Sequence, residues 1–132
     1  MDTEIRAFLE FADSVNQQIQ GKAEDRTRIM NLHEVYYFEI VDRRCFAYIA
    51  DSVWQVRLTL QDILDNFGKW NFVRIGKSMV VNLNYVKLLK PDLNARVKII
   101  LENGETVVLS RKYHSDFYKS LERLCERNNE VD

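Results

Sequence analysis

The stretch Phe72–Asn82 limits the fold of this chain most strongly, because two strand-type apolar runs enclose a short polar and basic centre. The apolar runs are built from residues that favour strands and can anchor them in a sheet. Gly76 allows a sharp change of backbone direction between the runs. The pattern predicts a hairpin whose turn presents Arg74, Lys77 and Ser78. Such donors suit a phosphate or a base edge, although an ordinary hairpin with solvated basic residues explains the same pattern.

A second hairpin is predicted near the C-terminus, around Asn103-Gly104. This residue pair is typical of two-residue hairpin turns, and the flanking segments 96–101 and 106–109 are rich in strand-type residues. Ser110 follows and is predicted to cap a final helix. The buried face of that helix is predicted from apolar residues at helical spacing: Tyr113, Phe117, Leu121 and Leu124.

The first segment, together with the run Leu101–Glu105 and the element Ser110–Tyr113, resembles the LytTR family. This family comprises the DNA-binding output domains of LytR/AlgR-type bacterial response regulators. Its signature runs roughly from a phenylalanine through an arginine and a serine to a valine and an asparagine, and an Asn-Gly hairpin and a Ser-Arg element follow. The resemblance extends from about residue 26 to residue 124. It implies a mostly β fold with helices (α+β), in which small antiparallel sheets carry one helix between strands and helices at both termini.

The residues between the N-terminal segment and the signature predict an antiparallel meander. Charged or polar turns at Asp42–Arg44 and Asp51-Ser52 separate its strands, which are predicted at 28–32, 35–40, 45–49 and 53–57. Thr59 is predicted to cap a helix that ends at Gly68 and buries Leu60, Ile63, Leu64 and Phe67. A further strand is predicted at 83–89, broken by Pro91.

The N-terminal segment is predicted to be an amphipathic helix over residues 3–20, stopped by Gly21 and followed by a polar linker at 23–27. Three divisions follow: residues 1–25 as helix and linker, 26–126 as the LytTR-like domain, and 127–132 as a frayed tail. The apolar stripe of the helix packs on its own domain, on a second copy in a homodimer, or on a regulatory partner. No receiver domain is expected, so the chain is similar to stand-alone LytTR regulators, and the resemblance implies a membrane-bound regulatory partner for some of these.

The resemblance also implies which residues contact DNA, on three loops that enter the grooves in place of a recognition helix. Arg111 and Lys77, with Arg43 and Arg44 on the first loop, are expected to contact bases, since an arginine fork suits guanine O6 and N7. Four residues are expected to contact phosphates: Arg74, Ser78, Lys112 and Tyr113. For Arg43 and Arg44, a solvated turn is an equal alternative. Asn82 is expected to be structural and to bond its own backbone.

Charge and composition favour the same class of function. The net charge is −1, yet residues 72–114 carry eight Lys and Arg against three Asp and Glu, which indicates a localised anionic partner. No signal peptide or membrane-spanning run is visible, and Cys45 and Cys125 lack metal-ligand spacing, so a cytoplasmic protein with reduced thiols and no metal or cofactor is expected. His33 and His114 have no catalytic partners at a recognisable spacing, so no enzyme is predicted; a hydrolase using Ser110 and His114 is the weakest alternative.

The sequence therefore predicts a bacterial, sequence-specific regulator of transcription that binds double-stranded DNA at direct repeats in a promoter. No small-molecule substrate is expected. The alternative is a protein-interaction module that acts through its N-terminal helix, in which the basic loops are incidental.

Overall fold

The computed structural model describes residues 17–130, and side chains as far as residue 127. Its larger sheet has seven antiparallel strands in the order β2-β1-β5-β4-β3-β7-β6. The strands are β1 Gln18–Ala23, β2 Arg26–Asn31, β3 Tyr37–Val41, β4 Arg44–Tyr48, β5 Val53–Val56, β6 Phe72–Gly76 and β7 Met79–Asn82. The signature hairpin β6–β7 therefore forms one edge of this sheet, and it is joined to the meander through β3.

A smaller antiparallel sheet has three strands in the order β10-β9-β8. They are β8 Val86–Pro91, β9 Val97–Leu101 and β10 Thr106–Leu109. Two α-helices complete the described part of the chain: α1 Leu60–Phe67 connects β5 to β6, and α2 His114–Glu130 follows β10. The mostly β fold with a helix between strands and a C-terminal helix is confirmed.

The hydrophobic core consists of two clusters because both faces of the larger sheet are covered. One cluster packs α1 against the face that carries Phe38 and Ala47. The other packs the smaller sheet and α2 on the opposite face, around Ile75, Val81 and Phe117. Alternation of side chains along a strand explains the division, since neighbouring residues such as Val80 and Val81 enter different clusters.

Helix α1 begins as the sequence predicts. Thr59 Oγ1 accepts the Asp62 N–H at 3.0 Å, and the Asp62 carboxylate accepts the Thr59 N–H at 2.9 Å, which completes a capping box. Leu60, Ile63 and Phe67 are buried. The helix is thereby fixed at its first turn and held by its apolar face.

The prediction of a helix over residues 3–20 is wrong at its C-terminal end, while residues 1–16 lie outside the described part. Gln18–Gln20 belong to β1, and the expected linker contains the end of β1, a tight turn and the start of β2. Gly21 is not a helix stop. A Cβ atom at this position would lie 2.6 Å from Met30 Cε and from Trp54 Cβ, so the glycine permits close packing inside the sheet.

Three other expectations are also corrected. The segment predicted as a strand from Leu83 starts as a 3₁₀ turn, and β8 runs from Val86 to Pro91. Helix α2 continues to Glu130, and Arg127 Nη2 donates to Asn71 Oδ1 at 2.8 Å, so the tail expected to fray from residue 127 is helical at its start. Ser110 occupies the cap position of the 3₁₀ turn before α2, but its side chain makes no capping hydrogen bond.

None of the helices within residues 17–130 is both long enough and apolar enough to cross a membrane.

Candidate nucleic-acid interface

The three loops singled out in the sequence lie at the same end of the larger sheet. The pairing of Glu39 with Met79 places the end of β3 beside the start of β7. The Ile40 N–H donates to the Ser78 carbonyl at 2.8 Å, which joins β3 to the β6–β7 turn. On the other side, the Ser110 N–H donates to the Ile75 carbonyl at 2.8 Å, which holds the third loop against the end of β6. Backbone hydrogen bonds thus connect all three loops into one row, called the loop row below.

The first loop is a two-residue hairpin turn between β3 and β4. Asp42 and Arg43 have φ values of 51° and 65°, so both lie in the left-handed region that such tight hairpin turns require. The pairing of Val41 with Arg44 closes the turn. Arg43 and Arg44 are exposed, and the turn therefore presents two guanidinium groups on a short, closely defined backbone.

The second loop is the β6–β7 turn, whose exposed residues are Lys77 and Ser78. Arg74 holds it from within: Nε donates to the Gly76 carbonyl at 3.0 Å, and Nη2 donates to the Lys77 carbonyl at 2.7 Å. Gly76 is the last residue of β6, just after the shift in register with β7, and it does not have the positive φ seen at Gly104. Arg74 is half-buried, so at least part of its charge is used to shape the turn.

The third loop runs from Ser110 through a 3₁₀ turn over Arg111–Tyr113 into α2. Arg111 and Lys112 are exposed, whereas the ring of Tyr113 is half-buried. The Arg74 guanidinium lies 5.4 Å from the centre of this ring, and Lys112 Nζ lies 5.8 Å from it. Tyr113 thus connects the second and third loops through contacts with cations of both.

Asn82, at the end of the signature, is buried and structural. Its Nδ2 donates to the Val35 carbonyl at 2.9 Å, and its Oδ1 accepts from the Asn84 backbone N–H and side-chain Nδ2, each at 3.0 Å. The side chain is 1% exposed, so it cannot reach a ligand. The expected bond to nearby backbone is present, but the bond to Val35 crosses 47 residues of sequence.

The charge of the loop row is not neutralised by neighbouring side chains. Within the described residues, ion pairs join Arg28 to Glu34 and Arg96 to Asp92, and neither pair includes a loop-row residue. The cations at this end are therefore available to an external anion: Arg43, Arg44, Lys77, Arg111 and Lys112. Asp42 is the one carboxylate within the three loops.

A further cation at this end was missed by the sequence reasoning. The β4–β5 register pairs Cys45 with Val56, so the next position outward brings Arg44 opposite Arg57. Both arginines are exposed. The sequence predicted that the strands now called β4 and β5 pair, which could have indicated Arg57. It did not define the register between these strands, which brings Arg57 opposite Arg44.

Alternative sites have weaker support in the described residues. They contain no group of three or more His, Cys, Asp or Glu side chains placed to hold a metal ion. His114 Nε2 is buried without a hydrogen-bond partner among them, and its ring contacts Tyr118 edge-on, so Ser110 is not activated through this nitrogen. Cys45 is buried and Cys125 exposed, and both are free thiols.

The described residues form a mostly antiparallel β domain that presents on its loops a row of cations outside any ion pair. This arrangement defines a class of nucleic-acid-binding domains that contact their ligand through loops. The model of the LytTr DNA-binding domain matches residues 25–122. The chain belongs to this family, as the two sequence motifs predicted.

The similarity to individual proteins is modest in identity and consistent in kind. The LytTr DNA-binding domain of a methyl-accepting/DNA response regulator from Bacillus cereus superposes with a TM-score of 0.75 at 26% identity, covering 80% of this chain and 97% of that one. The sensory transduction protein LytT of Enterococcus faecalis (strain ATCC 700802 / V583) is 26% identical over 103 residues, which are 78% of this chain and 42% of LytT.

A third relative is described as an uncharacterized HTH-type transcriptional regulator of Staphylococcus aureus (strain NCTC 8325 / PS 47). It is 24% identical over 93 residues, or 70% of this chain and 63% of that protein. The chain spans about two fifths of the length of the LytT relatives it matches.

Proposed function

We propose that this protein is a sequence-specific regulator of transcription that binds double-stranded DNA through the loop row. The observation that carries the proposal is the convergence of three loops, separated by more than 30 residues in sequence, on one end of one sheet with their cations unpaired. Membership of a DNA-binding family supports the nature of the ligand. Phosphate contacts would supply affinity, and contacts to base edges would supply sequence preference.

Within this proposal, four exposed residues contact bases: Arg111, Lys77, Arg43 and Arg44. Four others contact phosphates: Ser78 and Lys112, which are exposed, and Arg74 and Tyr113, which are half-buried. Arg74 has a second task, since two of its N–H groups already bind turn carbonyls. The family resemblance implies that the loops enter successive major grooves, and a row of loops along one end of a sheet suits the grooved surface of a duplex better than a single deep pocket would.

The test of the proposal is selection from a library of random duplexes at two salt concentrations. Enrichment of a defined sequence, with binding that weakens as salt rises, is the expected result. In the Arg111→Ala variant we expect the preference at one base pair to fall by roughly 1–3 kcal/mol, because a bidentate contact to guanine is lost. Discrimination at the other base pairs should persist.

A matched control is Arg26→Ala. Arg26 is exposed like Arg111 but lies by the β1–β2 turn, at the opposite end of the larger sheet. This variant should select the same sequence with the same preference. Binding by the unmodified protein that is independent of sequence would refute specific readout, and the absence of binding at either salt concentration would refute the proposal as a whole.

We further propose, from the family resemblance, a promoter site made of direct repeats, and a bacterial cytoplasmic location. On the same ground we propose a homodimer and a membrane-bound regulatory partner. The alternative role, a protein-interaction module, depends on residues 1–16. Removal of those residues, leaving β1 intact, should abolish partner binding on the alternative reading and preserve specific DNA binding on the reading preferred here.

A further inference from the structure

Two exposed arginines lie at the same end of neighbouring strands: Arg44 is the first residue of β4, and Arg57 follows the last residue of β5. The register runs from Tyr48 paired with Val53 to Cys45 paired with Val56, and continuing it by one residue sets Arg44 against Arg57. Cys45 and Val56 are buried in the first core cluster, so the alternation of side chains places both arginines on the opposite face, where they are exposed. Like charges directly opposite each other destabilise a strand pair.

Within the described residues, neither arginine takes part in an ion pair. Phe46 and Gln55, paired next along the strands, are uncharged. Glu39, paired with Phe46 on β3, lies on the same face, and its carboxylate accepts a hydrogen bond from the Tyr48 hydroxyl at 2.8 Å. The two guanidinium groups are therefore available to an external anion.

The position of the pair extends the loop row. Along the end of the sheet, the strands follow in the order β6, β7, β3, β4, β5, so Arg57 stands one strand beyond the β3–β4 turn. At about 4.8 Å between strands, Arg57 lies on the order of 19 Å from the strand that carries Ile75. At about 3.4 Å per base pair along a strand of DNA, this distance corresponds to five or six base pairs.

We propose that Arg44 and Arg57 together bind a phosphate group of the DNA backbone at the outer end of the loop row, a role that replaces the base contact of Arg44 and leaves Arg43 as the base contact of the first loop. A phosphate is the fitting ligand, because its oxygens accept from two guanidinium groups at once and its charge removes their mutual repulsion. Arg57 thus sets the outer limit of the surface that contacts the duplex. This inference rests on the proposed DNA-binding function and adds a residue that the family motifs did not indicate.

The test compares Arg57→Gln with the unmodified protein on the duplex selected above. We expect an affinity about threefold to tenfold lower and a slope of log affinity against log salt that is smaller by about 0.9, the value for one lost phosphate contact. The selected sequence should not change. The midpoint of thermal unfolding should equal or exceed that of the unmodified protein, since the like-charge pair is relieved.

The combination of weaker binding with undiminished stability separates a phosphate contact from a structural role. Arg26→Gln, at the opposite end of the sheet, should leave both the affinity and the salt slope unchanged. If Arg57→Gln binds with unchanged affinity and slope, the inference is wrong while the proposed function stands. If the unmodified protein selects no sequence, the proposed function itself fails.

Discussion

At the scale of single residues, Asn82 shows how a side chain that resembles part of a binding motif serves the scaffold. It ends β7, and its amide connects the segment before β3 to the turn after β7. Because it is almost completely buried, every hydrogen bond it makes replaces one to water that folding has removed. Its contribution is therefore to the relative placement of β3 and β7, the two strands that bring the first and second loops together.

Replacing Asn82 with alanine should lower the free energy of unfolding by roughly 2–3 kcal/mol, since the Val35 carbonyl and the Asn84 N–H lose their partner in a buried site. Denaturant unfolding measures this change. The control is Asn84→Ala, an exposed position whose side chain bonds Asn82, which should cost much less. A loss below about 0.5 kcal/mol for Asn82→Ala would show that the hydrogen bonds contribute little net stability.

The sequence anticipated a structural asparagine, yet it could not identify the partner. A bond to the residue's own turn follows from local rules for asparagine. The bond to Val35 depends on how β3 and β7 pair, and 47 residues of chain separate the two groups. Local chemistry thus predicted that Asn82 is structural, whereas its partner, the Val35 carbonyl, is defined by the pairing of β3 with β7.

At the scale of elements, the β6–β7 turn is a loop whose shape is set by a side chain from its own first strand. The planar guanidinium of Arg74 donates hydrogen bonds to two successive carbonyl groups of the turn, those of Gly76 and Lys77. A lysine ammonium reproduces this arrangement poorly. The backbone that presents the exposed residues Lys77 and Ser78 is therefore held in place by these two hydrogen bonds. This preorganisation matters for binding, because a loop that is already ordered has less entropy to lose.

The Arg74→Lys variant should therefore keep the positive charge but lose the two hydrogen bonds that hold the turn. We expect faster amide hydrogen exchange at Lys77 and Ser78 and a weaker sequence preference at the base pairs that this turn reads, with a nearly unchanged salt slope. Exchange measured by NMR, together with duplex selection, tests both effects. Arg111→Lys serves as the comparison, since it should alter base preference without changing exchange in the β6–β7 turn. Unchanged exchange in Arg74→Lys would contradict the bracing role.

The predictions for elements succeeded where the local signal was strong and failed where two signals competed. The capped helix α1 and the hairpin at Asn103-Gly104 form as expected. At residues 18–23, the alternation of exposed and buried positions along β1 was present in the sequence, but the helical spacing of the preceding apolar residues outweighed it. The polar stretch taken for a linker is a hairpin turn because β1 has β2 and β5 on either side to pair with.

At the scale of the whole molecule, a tyrosine pair joins the two sheets. Tyr37 and Tyr48 stack with ring centres 4.2 Å apart on the face covered by the second core cluster. The Tyr37 hydroxyl donates to Glu105 beside the β9–β10 turn, and the Tyr48 hydroxyl donates to Glu39, each at 2.8 Å. Burial, the bond to Glu39 and the nearby carboxylates raise the pKa of Tyr48 from 10.0 to about 12, and burial with the bond to Glu105 raises the pKa of Tyr37 further.

This arrangement predicts lower stability at alkaline pH. Because the pKa values are raised in the folded state, the unfolded chain releases its tyrosine protons at a lower pH than the folded protein does. The contribution of the tyrosine pair to the free energy of unfolding is therefore fully present below about pH 10 and is lost progressively as the pH rises toward 12. The free energy of unfolding, measured across this interval, should fall with pH. Tyr48→Phe should make the fall shallower, and an equal slope in that variant would rule out Tyr48 as a source.

The assembly of the loop row was the least accessible feature at this scale. The sequence motifs predicted three loops as the DNA-binding surface, which stays a prediction, and the hairpin and meander patterns predicted most strands. The placement of β3 between β4 and β7, however, is a long-range choice among strands of similar composition. The same holds for Arg57, which becomes a neighbour of Arg44 only through the register of β4 and β5.

The burial pattern of the signature has a consequence for how such domains diversify. Between Phe72 and Asn82, the exposed positions are Lys77 and Ser78, while the remaining ones are buried or half-buried. Substitutions at the two exposed positions should change the free energy of unfolding little, whereas substitutions elsewhere in the stretch should destabilise the sheet. If the β6–β7 turn contacts DNA as proposed, exchanges at these two adjacent positions change what the turn presents to the DNA while the sheet that carries it stays folded.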